Sequence, residues 1–290
     1  YCRLCNSANL ASVLRLSDSP ICDAYTKEKS KPKIYPLELF QCNECKFVQT
    51  SIVINPEVLY KDYIYETRSS MGLKDHFRDY AETIVVRNNL QNGGLIVDIG
   101  SNDGTLLKQF RNLGFRVVGV EPARKIAKDA NREGIFPIAD YFRDDIVSRI
   151  LKENGPANVV TVNNLLANVH DLHTFAKCID SLLAPDGILV IESSYLYYMV
   201  DNLIFDFIYH EHLSYFSINP LVRFWGRFGL ELVDVHVSEA KGGSLRYFWA
   251  RKESNRLISP RVVELVLQEN ERELSRDVFA RFAKRIGHAR

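Results

Sequence analysis

The sequence predicts an α/β protein with a mostly parallel sheet and a small separate module at its amino-terminal end. Three observations carry this. From residue 95 onward, apolar strand-like runs alternate with helical spacings. One of these runs, Leu95-Ile-Val-Asp-Ile-Gly-Ser-Asn-Asp-Gly104, passes through a glycine turn straight into a helical pattern. Four of the six cysteines fall in two Cys-x-x-Cys pairs within the first 45 residues.

A chain of 290 residues holds one large domain and a small one. Its 46% hydrophobic and 25% charged residues are ordinary for a soluble protein, and a net charge of +1 leaves no footprint for nucleic acid or an acidic membrane. The richest apolar stretch, residues 188–208, is broken by Glu192, Asp201 and Asp206, so no membrane span is expected. No secretory leader is visible, and a cytoplasmic location is the expectation. The chain starts at Tyr1 rather than Met and stops inside a charged helical pattern, so it reads as a piece of something longer.

Residues 1–57 form the first unit. Cys2, Cys5, Cys42 and Cys45 make two knuckles 36 residues apart, and together they can close a four-thiolate zinc site. Disulfides or unrelated thiols are the alternatives, and a cytoplasmic setting argues against disulfides. Four thiolates leave no open position, so the zinc is expected to be structural. The module holds seven Lys or Arg against six Asp or Glu, which favours a scaffold or lid over a nucleic-acid binder. Tyr25, Tyr35, Phe40 and Phe47 supply the small core it needs.

Residues 58–91 read as a helical linker or lid. Tyr60, Tyr63 and Tyr65 precede a helix whose apolar positions are Phe77, Tyr80, Ala81, Ile84 and Val85. Such a linker often lines the cleft it crosses, although most of its tyrosines are better explained as packing.

Residues 92–252 carry the large domain. The strand from Leu95 leads to a helix marked by Leu106, Leu107, Phe110 and Leu113, and a second strand, Val117–Glu121, ends in an acid. That is a nucleotide-binding βαβ unit, with Glu121 where ribose hydroxyls are usually held. The dinucleotide pattern G-x-G-x-x-G is not met, because position 102 is Asn and only Gly100 and Gly104 remain. A cofactor without a pyrophosphate but with an amino-acid tail fits better, since Ser101, Asn102 and Asp103 can meet an ammonium and a carboxylate. The bland alternative is a tight turn in some other α/β protein. The pattern D-I-G-x-x-D-G followed by Glu resembles the cofactor loop of S-adenosylmethionine (SAM) methyltransferases. That resemblance makes Asp98, Gly100, Ser101, Asn102, Asp103, Gly104, Thr105, Glu121 and Pro122 candidate cofactor contacts.

The remaining strands follow in order. Residues 135–142 are expected to be the third, ending in Asp140, Tyr141 and Phe142, an acid and aromatics able to take an adenine amino group and ring face. Residues 158–163 make the fourth, whose carboxyl end at Asn164 and Leu165 faces the ligand crevice. A helix over 175–183 stops at Ala184-Pro-Asp-Gly187, and residues 188–192 are the fifth strand. Residues 230–237 and 245–250 form a terminal pair around Gly242-Gly243. The expected fold is thus Rossmann-like, that of a class I SAM methyltransferase with a seven-stranded, mostly parallel sheet and a zinc-binding module before it.

The stretch expected to carry chemistry is Phe207-Ile-Tyr209-His210-Glu211-His212-Leu-Ser-Tyr215. A histidine can act as a base near neutral pH, and a neighbouring carboxylate can orient it. In a helical or turned backbone Tyr209 and His212 share a face; in a strand Tyr209 joins Glu211 instead. A metal site from His210, Glu211 and His212, or polar groups merely satisfied beneath a loop, are the competing readings. Residues 253–290 are expected to be a long helix after Pro260, with Leu274, Val278, Phe282 and Ile286 at four-residue spacing. Its Arg281, Lys284, Arg285 and Arg290 read as a solvated face.

Taken together, the four-cysteine module, D-I-G-S-N-D-G and I-Y-H-E-H-L-S-Y-F-S resemble the deoxysugar C-methyltransferases of antibiotic pathways, and Lys241-Gly-Gly-Ser-Leu-Arg-Tyr247 resembles that family's H/K-G-G-x-x-R-Y element. The resemblance implies methylation of a ring carbon beside a ketone on a nucleotide-linked sugar. It implies His212 as the base, Tyr209 and Glu211 as assisting groups, and Tyr65 as a tyrosine closing over the cofactor, with no catalytic metal. Two departures stand out. Some members have His where this chain has Asn168, and the family carries a second α/β domain beyond residue 290. The other functions consistent with the residues are O- or N-methyl transfer to a small metabolite, a zinc-ribbon nucleic-acid module, and a non-catalytic scaffold.

Overall fold

The computed structural model describes residues 1–22, 32–55, 58–59, 72–132, 134–238 and 243–289. The chain builds two sheets. In the amino-terminal module β1 (Leu10–Arg15), β2 (Glu38–Cys42) and β3 (Val48–Thr50) pair antiparallel in that order. After α1 (Leu73–Arg87) come β4 (Leu95–Ile99), α2 (Thr105–Asn112), β5 (Arg116–Val120), α3 (Arg124–Arg132) and α4 (Asp144–Asn154). Then follow β6 (Ala157–Asn163), α5 (Leu172–Leu182), β7 (Leu183–Ser194) and α6 (Leu196–Asp201). The next strand, β8 (Ser214–Tyr215), pairs antiparallel with β3 and becomes the fourth strand of the module's sheet. Finally α7 (Ile218–Gly226), β9 (Leu230–Ser238), β10 (Ser244–Arg251), α8 (Pro260–Glu271) and α9 (Arg276–Ala289) close the described chain.

The large sheet has the order β5-β4-β6-β7-β10-β9. Strands β5, β4, β6 and β7 are parallel, and β10 turns antiparallel between β7 and β9. All five residues of β4 are buried, because helices cover both faces of a parallel sheet. The period-two alternation sorts them: Leu95, Val97 and Ile99 join the core beneath α4 and α5, while Ile96 joins Phe77, Tyr80 and Ile84 of α1 and Phe110 of α2.

Two expectations are corrected. The strand over 135–142 is reduced to one bridge between Val120 and Ile138, so the large sheet has six strands among the described residues, not seven. Ile138 donates to Gly119 O at 2.8 Å and accepts from Glu121 N at 3.0 Å. Pro137 has no N–H to extend the ladder, and Asp140 N turns back to Ile138 O at 2.9 Å. The long carboxyl-terminal helix is two helices, broken between Glu271 and Arg276. At the break Gln41 Nε2 takes the Leu274 carbonyl at 3.0 Å, and the Leu274 side chain is buried. The apolar stripe finds its partner within the chain: Phe279, Phe282 and Ile286 pack with Leu14, Leu39 and Val48 of the module and with Met199 of α6. Arg285 is not simply solvated, since it donates to the carbonyls of Val200 and Asp201, each at 2.9 Å.

Candidate active site

At the carboxyl end of the parallel strands the sheet opens into a cavity of about 640 Å³. Of the expected cofactor contacts, Asp98, Gly100, Ser101, Asn102, Thr105, Glu121, Pro122, Tyr141, Phe142, Asn164 and Leu165 line it. Tyr209, Glu211 and His212 line the same cavity, so the two clusters the sequence singled out share one space. Three expected contacts do not line it. Asp103 is buried and serves α2, its Oδ1 accepting from Thr105 N at 3.1 Å and Thr105 Oγ1 at 2.6 Å. Gly104 has φ +76°, and a Cβ there would lie 2.9 Å from Ile135, so packing explains that glycine. Asp140 pairs with Arg143 at 2.9 Å. Tyr65 lies outside the described residues, as do Tyr25, Tyr60, Tyr63, Lys241 and Gly242.

The turn after β4 brings backbone against the cavity. Gly100 has φ +73° and its N–H donates to Val120 O at 2.8 Å, while a Cβ would meet Leu165 at 3.0 Å. Two acids flank this turn. Asp98 accepts from Thr161 Oγ1 at 2.6 Å, and burial, reinforced by the charge of Glu121, pushes its carboxyl up to about 7. Glu121 accepts from Asn102 N at 2.9 Å and Ala123 N at 2.8 Å, and burial still raises its pKa above the ordinary value. Two buried carboxylates beside an apolar space are costly alone and suited to hydroxyl or ammonium donors from a ligand.

Opposite them the backbone turns, with His212 N donating to Tyr209 O at 3.1 Å, and this puts Tyr209 and His212 on one face. His212 Nδ1 lies 2.9 Å from the Phe207 carbonyl, which can only accept, so Nδ1 carries a proton. In the neutral ring Nε2 is therefore the lone-pair nitrogen, and it accepts from the Tyr209 hydroxyl at 3.0 Å. Glu211 is buried at the cavity wall. His210 turns the other way: its Nε2 meets Pro36 O at 3.3 Å and its ring packs 5.7 Å from Tyr35. A metal site from His210, Glu211 and His212 is thereby excluded, because His210 faces away from the cavity that Glu211 and His212 line.

The four knuckle cysteines converge as expected. Their Sγ atoms all lie within 4.8 Å of one another, with Cys2 to Cys45 and Cys5 to Cys42 each 3.5 Å. Zn–S bonds of about 2.3 Å in a tetrahedron require sulfur edges of roughly 3.8 Å, so the donor set fits zinc. Asn6 and Lys46, the residues after each second cysteine, both adopt left-handed backbone at φ 61° and 65°.

The family described as "Methyltransferase domain" matches residues 74–235. The chain belongs to that family. A second family, "Putative zinc binding domain", matches residues 2–60. Among curated proteins, C-methyltransferase NovU of Streptomyces niveus is 33% identical over 271 residues, 92% of this chain. The mitochondrial ubiquinone biosynthesis O-methyltransferase of Bos taurus is 31% identical over 104 residues, 34% of this chain. The chain spans 64% of the first relative's length and 28% of the second's. Among solved structures, the Burkholderia thailandensis 1,6-didemethyltoxoflavin-N1-methyltransferase gives a TM-score of 0.50 at 16% identity, covering 72% of this chain and 97% of its own. A Haloferax volcanii complex of the Trm112 methyltransferase activator with a methyltransferase gives 0.50 at 15% identity, covering 69% and 100%. The fold is that of class I SAM methyltransferases, a mixed sheet built on parallel strands, preceded here by a four-cysteine module.

Other wall residues of this methyltransferase carried no local signal in the sequence. Phe77, expected as a packing position of its helix, reaches the cavity, as do Leu73, Cys22, His170, Asp206 and Asn168, the position where some members of the resembled family have His. Asp98 yields a test that needs no ligand. The folded chain keeps its proton up to about pH 7, whereas the ordinary value is 3.8. Between these the folded state binds the extra proton, so this group's contribution to stability falls as pH rises through the window. Asp98→Asn should therefore stabilise the ligand-free chain by about 1–3 kcal/mol at pH 8 and by almost nothing near pH 4. Urea unfolding at the two pH values checks the difference.

Proposed function

We propose that this chain carries the methyl-transferring part of a SAM-dependent C-methyltransferase acting on a nucleotide-linked keto-deoxysugar. The supporting observation is the hydrogen bonding of His212: Phe207 holds the Nδ1 proton, so Nε2, to which Tyr209 donates, keeps the lone pair a base needs, and the residue lines the cavity that Asp98 and Glu121 also line. Transfer to oxygen or nitrogen uses a lone pair already present and needs no base that takes a proton from carbon. The similarity to C-methyltransferase NovU points the same way.

The cavity suits SAM in size and chemistry. Among the lining residues, Glu121 would take the ribose hydroxyls, Tyr141 and Phe142 the adenine ring, and the turn at Gly100, Ser101 and Asn102 the amino-acid tail. Bound there, SAM supplies an electrophilic methyl on a sulfonium. His212 Nε2 then takes the proton from the carbon beside the ketone, and the C–H electrons move into the carbonyl to form an enolate. Tyr209, whose hydroxyl is released once Nε2 takes the proton, would donate to the enolate oxygen, with Glu211 on the same cavity wall assisting. The enolate carbon would be the nucleophile for the methyl that bound SAM supplies, with S-adenosylhomocysteine as the leaving group. Zinc, with four thiolates and no open position, stays structural.

Calorimetric titration of the zinc-loaded chain with S-adenosylhomocysteine, with and without thymidine diphosphate, tests the first half. Binding that the nucleotide strengthens is expected, and a folded sample that binds no S-adenosylhomocysteine overturns the reading. Methyl-labelled SAM with a panel of nucleotide-linked keto-deoxysugars tests the second half. The label should appear as a carbon-bound methyl; label on oxygen or nitrogen rejects it.

A further inference from the structure

Among the contacts that tie the zinc module to the base segment, one comes from the zinc knuckle itself. Arg3 sits between the zinc-site cysteines Cys2 and Cys5, and its backbone N–H donates to Gln49 Oε1 at 2.8 Å. Gln49 Nε2 donates back to the Tyr1 carbonyl at 3.0 Å, so the knuckle is clasped to β3 by both ends of one amide. The Arg3 guanidinium then reaches 210 residues along the chain. Its Nη1 donates to the Leu213 carbonyl at 3.0 Å and to the Thr50 carbonyl at 3.3 Å.

Leu213 directly follows His212. Its carbonyl also accepts from Thr50 N at 3.0 Å, and its N–H donates to Ala167 O at 2.7 Å. Beyond it, Ser214 and Tyr215 pair with Gln49 and Val48 as the module's fourth strand. A knuckle needs no cation at this position to bind zinc, so the arginine's charge is explained by what it holds. A charged donor on a part-buried carbonyl fixes geometry more tightly than a neutral one.

We propose that Arg3 is a positioning residue for His212, and that the zinc knuckle sets the placement of the base through the Leu213 carbonyl. The zinc site then acts on the reaction from outside the cavity, by fixing the point from which Arg3 reaches. The link matters because a displacement of about 1 Å can cost a reacting pair roughly a hundredfold in rate. The consequence for catalysis rests on His212 being the base; the geometric claim does not.

The test reads His212 directly. In zinc-loaded chain carrying 15N-labelled histidine, the His212 signals are assigned by their loss in His212→Ala. Wild type should show mainly the Nδ1-protonated tautomer. Arg3→Met should keep zinc and S-adenosylhomocysteine affinity but raise the Nε2-protonated share about fivefold, the loss expected for one hydrogen bond. Arg3→Lys, which restores a single charged donor, should bring that share back toward wild type. An unchanged tautomer ratio in zinc-loaded Arg3→Met overturns the proposal. If that variant does not load zinc, zinc-loaded Arg3→Ala takes its place: a raised Nε2-protonated share supports the proposal, and a wild-type ratio rejects it. Failure of S-adenosylhomocysteine to bind any variant, wild type included, would sink the methyltransferase reading while leaving the tautomer result standing.

Discussion

Replacing His212 with alanine should cut methyl transfer by about 10²–10⁴-fold while S-adenosylhomocysteine affinity stays within about twofold. The asymmetry follows from position. His212 and the turn at Gly100–Asn102 both line the cavity; the backbone of the turn donates to Val120 O and Glu121, while the His212 ring meets Phe207 O and the Tyr209 hydroxyl. The loss should appear in kcat, because proton removal from carbon has no substitute once Nε2 is gone. Tyr209→Phe should cost less, about 10–100-fold, since it deletes a donor and leaves the lone pair. Turnover of a nucleotide-linked keto-deoxysugar, measured beside calorimetry with S-adenosylhomocysteine, reads both effects. Unimpaired turnover in His212→Ala would remove the base from the mechanism.

How much of this was legible depends on how far apart the deciding residues lie. The turn from Asp98 to Thr105 was readable because strand, glycines and helix are contiguous, and a local pattern settles them. Tyr209 and His212 were readable as a pair once a turn was assumed. His210 was not, because neighbours in sequence look like one cluster until the backbone turns one of them away from the others. Long-range partners explain the other misses. The helix break before Arg276 involves Gln41, 233 residues away. Glu269 caps α7 from another helix, taking Ile218 N at 2.6 Å and Asn219 N at 2.9 Å, and also accepts from Tyr195. Buried Glu192 keeps a pKa below the ordinary value against its burial because His76 meets it at 2.9 Å and Arg246 at 2.8 Å. Two residues of strand, Ser214 and Tyr215, carry no periodicity at all, yet they decide that the base segment is tied to the zinc module.

Stripping the zinc should therefore damage the active site as well as the module. Residues 1–57 have a small core of their own, with Leu14, Leu39, Phe47 and Val48 buried largely against the rest of the chain. Without the ion, Cys2, Cys5, Cys42 and Cys45 must either repel as thiolates or protonate, and the 3.5 Å sulfur contacts lose their reason. The knuckles then release β3, and with it the pairing of Val48 to Tyr215 and Gln49 to Ser214 that holds the segment after His212. A metal-depleted chain, or Cys42→Ser, should melt about 10 °C lower and lose at least about tenfold in turnover. The large sheet, whose core strands β4, β6 and β7 draw no hydrogen bond from the module's strands, should keep its circular dichroism. Zinc added back should restore both properties to the depleted wild type and neither to Cys42→Ser. Full activity in a chain shown by metal analysis to lack zinc would mean that the four thiols pack without the ion, and that the base segment is held by the large domain alone.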